Sequence, residues 1–383
     1  MSFEHYIFSD GKRLRCGYTT GTCAALAAAA AAARLINGQW PEFVSVLTPK
    51  GLDVEVVPEN LSCSGGMASC SVIKDGGDDI DATHGMEVFA SVSLKDEPGI
   101  FIDGGEGVGR VTKPGLNQPV GNAAINSVPR QMISESVQKV LSEGGYTGGA
   151  NVIISVPDGE KIAQKTFNPN LGIANGISIL GTSGIVVPMS LQALSESMKI
   201  ELRQQRALGS KRVILVPGNY GTDFLKSSGI NFDKIPLVRI SNFFGDALDE
   251  CASLGFEEVL IVSHIGKGIK LAGGIMNTHS RFADCRTELF CAHAAVCGAP
   301  AELCRELLNC ATTDACIDVL KNTQYYDDVI KSLISACNKH LGRRIAGQFR
   351  FGLILFSNIY GLLGETTGAK EILSLWQKEN SME

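Results

Sequence analysis

Side chains able to carry chemistry gather in a few short stretches of this chain. The densest pairs Asn277-Thr-His-Ser-Arg281 with Asp284-Cys-Arg-Thr-Glu288. His279 is a candidate proton carrier, because an unperturbed imidazole titrates at about pH 6.5. Asp284 is placed to orient it as a catalytic partner, and Arg281 and Arg286 suit carboxylates, which a guanidinium binds bidentately. Just upstream, Ser263-His-Ile-Gly-Lys267 follows an apolar run and adds His264. A lone histidine is more often structural, but two within sixteen residues and so many charged neighbours bring the functional reading level with that one.

Three further segments look built to hold a ligand. Thr19, Thr20 and Thr22 lie directly before an alanine-rich stretch, where hydroxyls and free N–H groups meet at a helix N-terminus. Such an end binds carboxylate or phosphate, although plain N-capping accounts for the same residues equally well. Asp103–Gly115 is dense in glycine and carries Arg110 and Lys113, a suitable clamp for carboxylates. It is neither a dinucleotide fingerprint, since Lys113-Pro-Gly115 stops the required helix, nor a Walker loop. Val216-Pro-Gly-Asn-Tyr-Gly221 follows an apolar run, where ligands settle outside the carboxyl ends of parallel strands. The next run ends in Arg239 and Ser241, without the acidic group that holds a ribose. Asp78, Asp79, Asp81 and His84 lack an EF-hand pattern and read as a polar turn, so no metal site is expected.

The elements that must position these groups differ between the two halves. In the first, Val44–Thr48, Asp53–Val57, Ser71–Lys74, Val88–Leu94, Ile100–Asp103 and Val152–Pro157 read as strands, with helices at Gly21–Ile36 and Pro129–Leu141. Few crossover helices imply a mixed or antiparallel sheet. Ser190–Leu208 reads as a helix with Leu191, Leu194, Met198 and Leu202 on one face. Beyond it, Arg212–Val216, Leu237–Ile240, Val259–Val262 and Phe351–Phe356 are continuous apolar runs, the mark of parallel strands covered on both sides. Helix is expected from about Thr287 to Leu341. The fold class is therefore α/β: an α+β N-terminal domain with a mixed sheet over 1–208, then a smaller Rossmann-like α/β domain over 209–383.

Of the 383 residues, 44% are apolar and 19% charged, a globular balance, and the net charge of −6 argues against nucleic acid as a partner. An anionic small molecule is not excluded, because a pocket needs only a few local cations. The 12 cysteines contain no CxxC pair, so zinc and common iron–sulfur spacings are absent; they read as reduced thiols. Lys12, Arg13 and Arg15 before the alanine run imitate a signal peptide, but alanine favours a packed helix, and a cytoplasmic protein without a membrane span is expected. Nothing here argues against a homo-oligomer.

Gly17-Tyr-Thr-Thr-Gly-Thr-Cys23, the loop Gly104–Leu116, Thr166-Phe-Asn-Pro169, Gly176–Gly184, Pro217–Gly221 and Leu271–Arg281 occur in an order that resembles the cobalt-precorrin-5B C1-methyltransferase family of anaerobic cobalamin biosynthesis. Ser263 and Cys285 stand where that family would more often carry glycine. The resemblance implies transfer of a methyl group from S-adenosylmethionine, as co-substrate, to C-1 of an anionic corrinoid, giving cobalt-precorrin-6A; cobalt would arrive inside the substrate. Within that reading we expect His279, oriented by Asp284, as the base at the reacting centre, and Thr19, Thr20, Thr22, Arg110, Lys113, Arg281 and Arg286 on the substrate. For the donor we expect Gly105, Glu106 and Gly107 with Gly218, Asn219, Gly221 and His264, in a cleft where both halves converge. A non-catalytic corrinoid carrier is the main rival, and a dinucleotide-dependent oxidoreductase a weaker one.

Overall fold

The computed structural model of the chain describes residues 3–9, 11–166, 168–169, 171–228, 232 and 234–382, with side chains through residue 378. Two compact units result, Met1–Leu191 and Gln192–Glu383.

Alanine dictates the centre of the first unit. It is the best helix former and its side chain ends at Cβ, so neighbours can close in around the whole circumference of a helix. The helix Thr20–Asn37 is accordingly buried without a break from Thr20 to Ala32. Around it stand the helix Ser127–Glu143 and the strands Val44–Leu47, Met67–Ile73 and Glu87–Lys95. It stops at Gly38, whose left-handed φ of 74° lets its N–H return to Arg34 O.

The sheet beside this helix runs in the order Glu59–Ser64, Met67–Ile73, Glu87–Lys95, Gly149–Ser155, Gly99–Gly104. All neighbours are antiparallel except the last pair, which is parallel, so the sheet is mixed. Val88, Ala90 and Val92 face the core on alternate positions, as a half-buried strand requires. Glu59–Ser64 is a strand that periodicity misses, because an edge strand exposed at every residue has no apolar alternation to display.

The second unit is built on continuous apolar runs. Its sheet order is Leu237–Arg239, Arg212–Val216, Glu258–His264, Arg350–Ser357, Gly361–Glu365; the first four are parallel and the last antiparallel. Helices Asn219–Ser227 and Thr367–Met382 supply Leu225, Ala369, Ile372 and Trp376 to cover Ile214, Val216, Leu260, Val262, Ile354 and Phe356. The Thr287–Leu341 stretch is four helices, Arg286–Val296, Ala301–Leu308, Thr313–Lys321 and Tyr326–Ile345.

The division between the units lies before the helix Leu191–Ala207, not after it. Polar bonds tie that helix to the second unit: Ser195 Oγ donates to Asp246 (2.6 Å), Arg203 Nε to Glu250 (2.7 Å) and Arg206 Nε to Leu254 O (3.0 Å). The second unit is therefore no smaller than the first, contrary to expectation.

Glu258 fixes the strand starts of the second sheet. It is 1% exposed and sits opposite Arg212 on one neighbour and Arg350 on the other. It accepts from Arg212 Nε (2.8 Å), Arg350 Nη2 (2.5 Å) and Trp376 Nε1 (2.5 Å). The arginines reach solvent, so removing the carboxylate leaves chiefly the indole N–H without an acceptor, at a cost of about 1–3 kcal/mol. Glu258→Ala should lower the denaturant midpoint of unfolding accordingly, and Trp376 fluorescence should follow the loosening of the C-terminal helix.

Candidate functional site

In the first unit, the threonines are turned inward. Thr19, Thr20 and Thr22 are 6%, 3% and 0% exposed. Thr19 caps the helix by accepting from Thr22 N (3.3 Å), and its own N–H donates to Gly184 O (3.0 Å). Thr22 Oγ1 donates to Gly184 O (2.6 Å), while Thr20 Oγ1 accepts from Leu180 N (3.0 Å) and lies 3.2 Å from Leu180 O. Even the N–H of Gly21 goes to Leu180 O. The helix end expected to meet an anion grips the 180–184 loop, with Thr19 as its cap and Thr20 and Thr22 bonded to the loop.

Crowding explains the glycines of the 104–115 loop. A Cβ on Gly107, whose φ is +69°, would stand 1.7 Å from Val156 O, and one on Gly105 would stand 2.4 Å from Ser155 Oγ. At both glycines expected at the donor the Cβ position is therefore taken up by protein, while the Glu106 side chain between them is exposed. Arg110 makes a two-point pair with Asp103 (2.8 and 3.2 Å) and donates to Gly104 O (2.7 Å). Burial pushes the Asp103 carboxyl up, but the bond from Arg110 prevails and holds it below the usual range. Arg130, which pattern reading passed over, donates to Ile102 O (2.7 Å) and Ile125 O (2.9 Å) beside them. Lys113 is exposed and its stem lies against Gly172. Asn168 is buried, with its Oδ1 accepting from Ser178 Oγ (3.2 Å); Phe167 of the same motif lies outside the described residues. His84 Nδ1 accepts from Gly76 N (2.9 Å) and Asp81 pairs with Lys74, an ordinary polar turn.

In the second unit, strand topology creates the candidate site. The chain leaves strand Arg212–Val216 for an outer neighbour, then returns to Glu258–His264 on the opposite side. The turn 217–219 and the segment 264–268 thus flank the point where the strand order reverses, which is where ligands of open α/β sheets bind. Gly218 is extended, offers no side-chain cap to the helix Asn219–Ser227, and has no heavy atom within 4 Å of where a Cβ would stand. Gly221 differs: its Cβ would meet Val216 at 2.8 Å, so it is a packing glycine.

His264 sits at this point with Tyr220 at 5.9 Å and Phe356 at 5.6 Å between ring centroids. Its Nδ1 accepts from Gly266 N (3.1 Å), which assigns the hydrogen of the neutral ring to Nε2, 3.9 Å from Asp314 Oδ2. Burial holds its pKa below the ordinary value, against the pull of Asp314. Lys267 Nζ reaches Pro217 O and Ser241 O, both at 3.4 Å, and stitches the strand-end loops together; burial, helped by Lys270, pushes its pKa down.

The 277–286 segment does not adopt the arrangement expected of it. Asp284 does not reach His279: its carboxylate pairs with Arg286 (2.5 and 2.9 Å) and lies 3.8 Å from Lys270 Nζ. The Arg286 bond holds the Asp284 carboxyl below its usual range. His279 Nδ1 accepts from Arg281 N (3.2 Å), and its N–H donates to Asn277 Oδ1 (3.1 Å). Lys270, 4% exposed, organises the segment by donating to Thr278 O (3.1 Å) and Ala283 O (2.7 Å). A lysine inside the apolar run Ile269–Ala272 was the available signal, since buried lysines require partners. Among the described residues no three His, Cys, Asp or Glu side chains group as metal ligands, and no helix is long and apolar enough to cross a membrane.

Two family models match the chain: CbiD over residues 7–188, and the CbiD C-terminal domain over residues 277–367. A protein of Ruminiclostridium cellulolyticum named cobalt-precorrin-5B C(1)-methyltransferase is 44% identical, with 98% of this chain and 99% of that protein covered. One of the same name from Alkaliphilus metalliredigens is 41% identical, with 98% of each covered. The crystal structure of a cobalamin biosynthesis protein (cbiD) from Archaeoglobus fulgidus is 31% identical, covering 72% of this chain and 86% of that one, at a TM-score of 0.39. Full-length identity of this order settles membership: the chain belongs to the CbiD, or cobalt-precorrin-5B C(1)-methyltransferase, family.

Proposed function

We propose that this protein methylates C-1 of cobalt-precorrin-5B with S-adenosylmethionine, giving cobalt-precorrin-6A in anaerobic cobalamin biosynthesis. The observation that carries the reading is the 44% identity, across 98% of the chain, to a protein of that name. Bound S-adenosylmethionine supplies an electrophilic methyl group on a sulfonium. The strand-order reversal of the second, Rossmann-like unit is our choice for its site, with Gly218, Asn219 and His264 holding it. The free space beside Gly218 and the uncapped helix start are what fit a ligand there. Gly105, Gly107 and Gly221 are left as packing residues.

The acceptor is a polycarboxylate, and in the second unit Arg281 and Arg286 are the cations assigned to it, Arg286 sharing its guanidinium with Asp284. His279 is a donor at Nε2 while its Nδ1 is bonded to Arg281 N–H, so we place it against a substrate oxygen. To serve as a base it would first have to give up that bond. Chemistry of this kind gains chiefly from holding the reactants in line, which is worth about 7–11 kcal/mol in favourable cases.

Anaerobic incubation with cobalt-precorrin-5B and methyl-labelled S-adenosylmethionine should place label at C-1, read by carbon NMR. Binding of corrinoid without transfer would make the protein a carrier and end this reading. Gly218→Val should leave the thermal midpoint unchanged, because the space is free and the backbone extended. It should raise KM for the donor by about tenfold or more, equivalent to at least one lost contact of about 1.4 kcal/mol, with little effect on KM for corrinoid. An unaltered donor KM would move the donor site elsewhere.

A further inference from the structure

A cavity of ≈ 670 Å³ opens in the second unit between the helix Asn219–Ser227 and the last two strands of its sheet, and none of the residues assigned so far explains it. Asp223 and Phe224 wall it from the helix Asn219–Ser227, Phe356 and Asn358 from the end of the fourth strand, and Leu362 and Glu365 from the last. The register between the last two strands shifts at Leu355/Phe356. Such bulges bend a strand and re-aim its side chains, often next to a functional site.

Two features of the lining bear on what it takes. The first is an aromatic row. Phe224 stacks on Phe356 at 4.3 Å, Phe356 meets His264 edge-on, and His264 meets Tyr220, so a row of rings connects Tyr220, beside the Gly218 turn, with the cavity. The second is charge. Among the described residues Asp223 and Glu365 are the charged groups of the wall, and both are acids. Lys370 comes to 4.0 Å of Glu365, but its side chain is 66% exposed, so water screens most of what it offsets. A carboxylate group would be repelled from this lining. A cation would be drawn by the carboxylates.

The two reactants of the proposed methylation carry opposite charge, so this lining distinguishes between them. Building on that reading, we infer that the cavity receives the sulfonium end of the methyl donor and that Asp223 and Glu365 determine specificity for the cation. The product of transfer is a neutral thioether, which loses the attraction and keeps the rest of the contacts. Acidic lining thereby favours exchange of spent donor for fresh.

Calorimetric titration of the full chain with S-adenosylmethionine and with S-adenosylhomocysteine tests this without turnover. The unaltered protein should prefer the sulfonium by about tenfold, a difference of about 1.4 kcal/mol. Asp223→Asn combined with Glu365→Gln should bring the two ligands within about twofold while leaving thioether affinity as it was. Raising salt from about 0.05 M to about 0.5 M should narrow the preference in the unaltered protein too, since screening acts on the charge alone. This second measurement decides the matter should the double variant fail to fold. A preference untouched by both changes overturns the inference; if label still reaches C-1, the methyltransferase reading survives it. Binding of neither nucleoside by the unaltered protein overturns both.

Discussion

Main chain against main chain, with no room for a Cβ, is the constraint that shapes the first unit. A side chain on Gly17 would stand 2.2 Å from Asp75 O, on Gly77 2.3 Å from Arg15 O, and on Gly159 and Gly176 2.0 and 2.2 Å from Gly107 O. Such approaches allow loops to hydrogen-bond as strands do: Ile177 N–H donates to Gly107 O, Gly109 N–H to Ile177 O, and Val156 N–H to Glu106 O. The alanine helix extends the same economy of volume to its whole surface. Three loops and a helix end are thereby interlocked, and Arg110, Asp103 and Arg130 are held by that framework.

The second unit works by another rule. Parallel strands covered on both faces leave their carboxyl ends as the place where loops are free to specialise. Here those loops carry two histidines with one shared feature: each ring has its Nδ1 occupied by a nearby backbone N–H. A neutral imidazole so fixed presents Nε2–H, which suits donation to anionic oxygen better than proton removal. Lysines serve the same loops as organisers, half-buried Lys267 across the strand ends and buried Lys270 beneath the 277–284 segment.

Long apolar runs made most of the elements legible. Arg212–Val216 was read with its observed limits, and the alanine helix to within a residue at either end. The fully exposed strand Glu59–Ser64 and the short edge strand Gly361–Glu365 escaped for want of a pattern, whereas the helix after them does carry one, in Ala369, Ile372 and Trp376. At the site, residue types were visible but not their partners. Asp284 lies five positions from His279 and still bonds elsewhere, because Arg286 is closer in space and better shaped for a carboxylate. Glycine in a loop likewise does not say whether a ligand or another backbone fills the empty place. Gly218 and Gly107 are alike in sequence and opposite in surroundings.

The bond between Trp376 and Glu258 also has a consequence in time. Strand Glu258–His264 is synthesised well before the helix that carries Trp376, and Arg350 arrives between them. At a few residues per second to about twenty, the central strand waits several seconds on the ribosome with its buried acid only partly partnered. The alanine helix and its sheet, complete within the first half of the chain, face no such delay. The nascent chain therefore carries a finished first unit while the second is still unsealed, and its exposed parallel strands are the stage at which a chaperone would have most to offer.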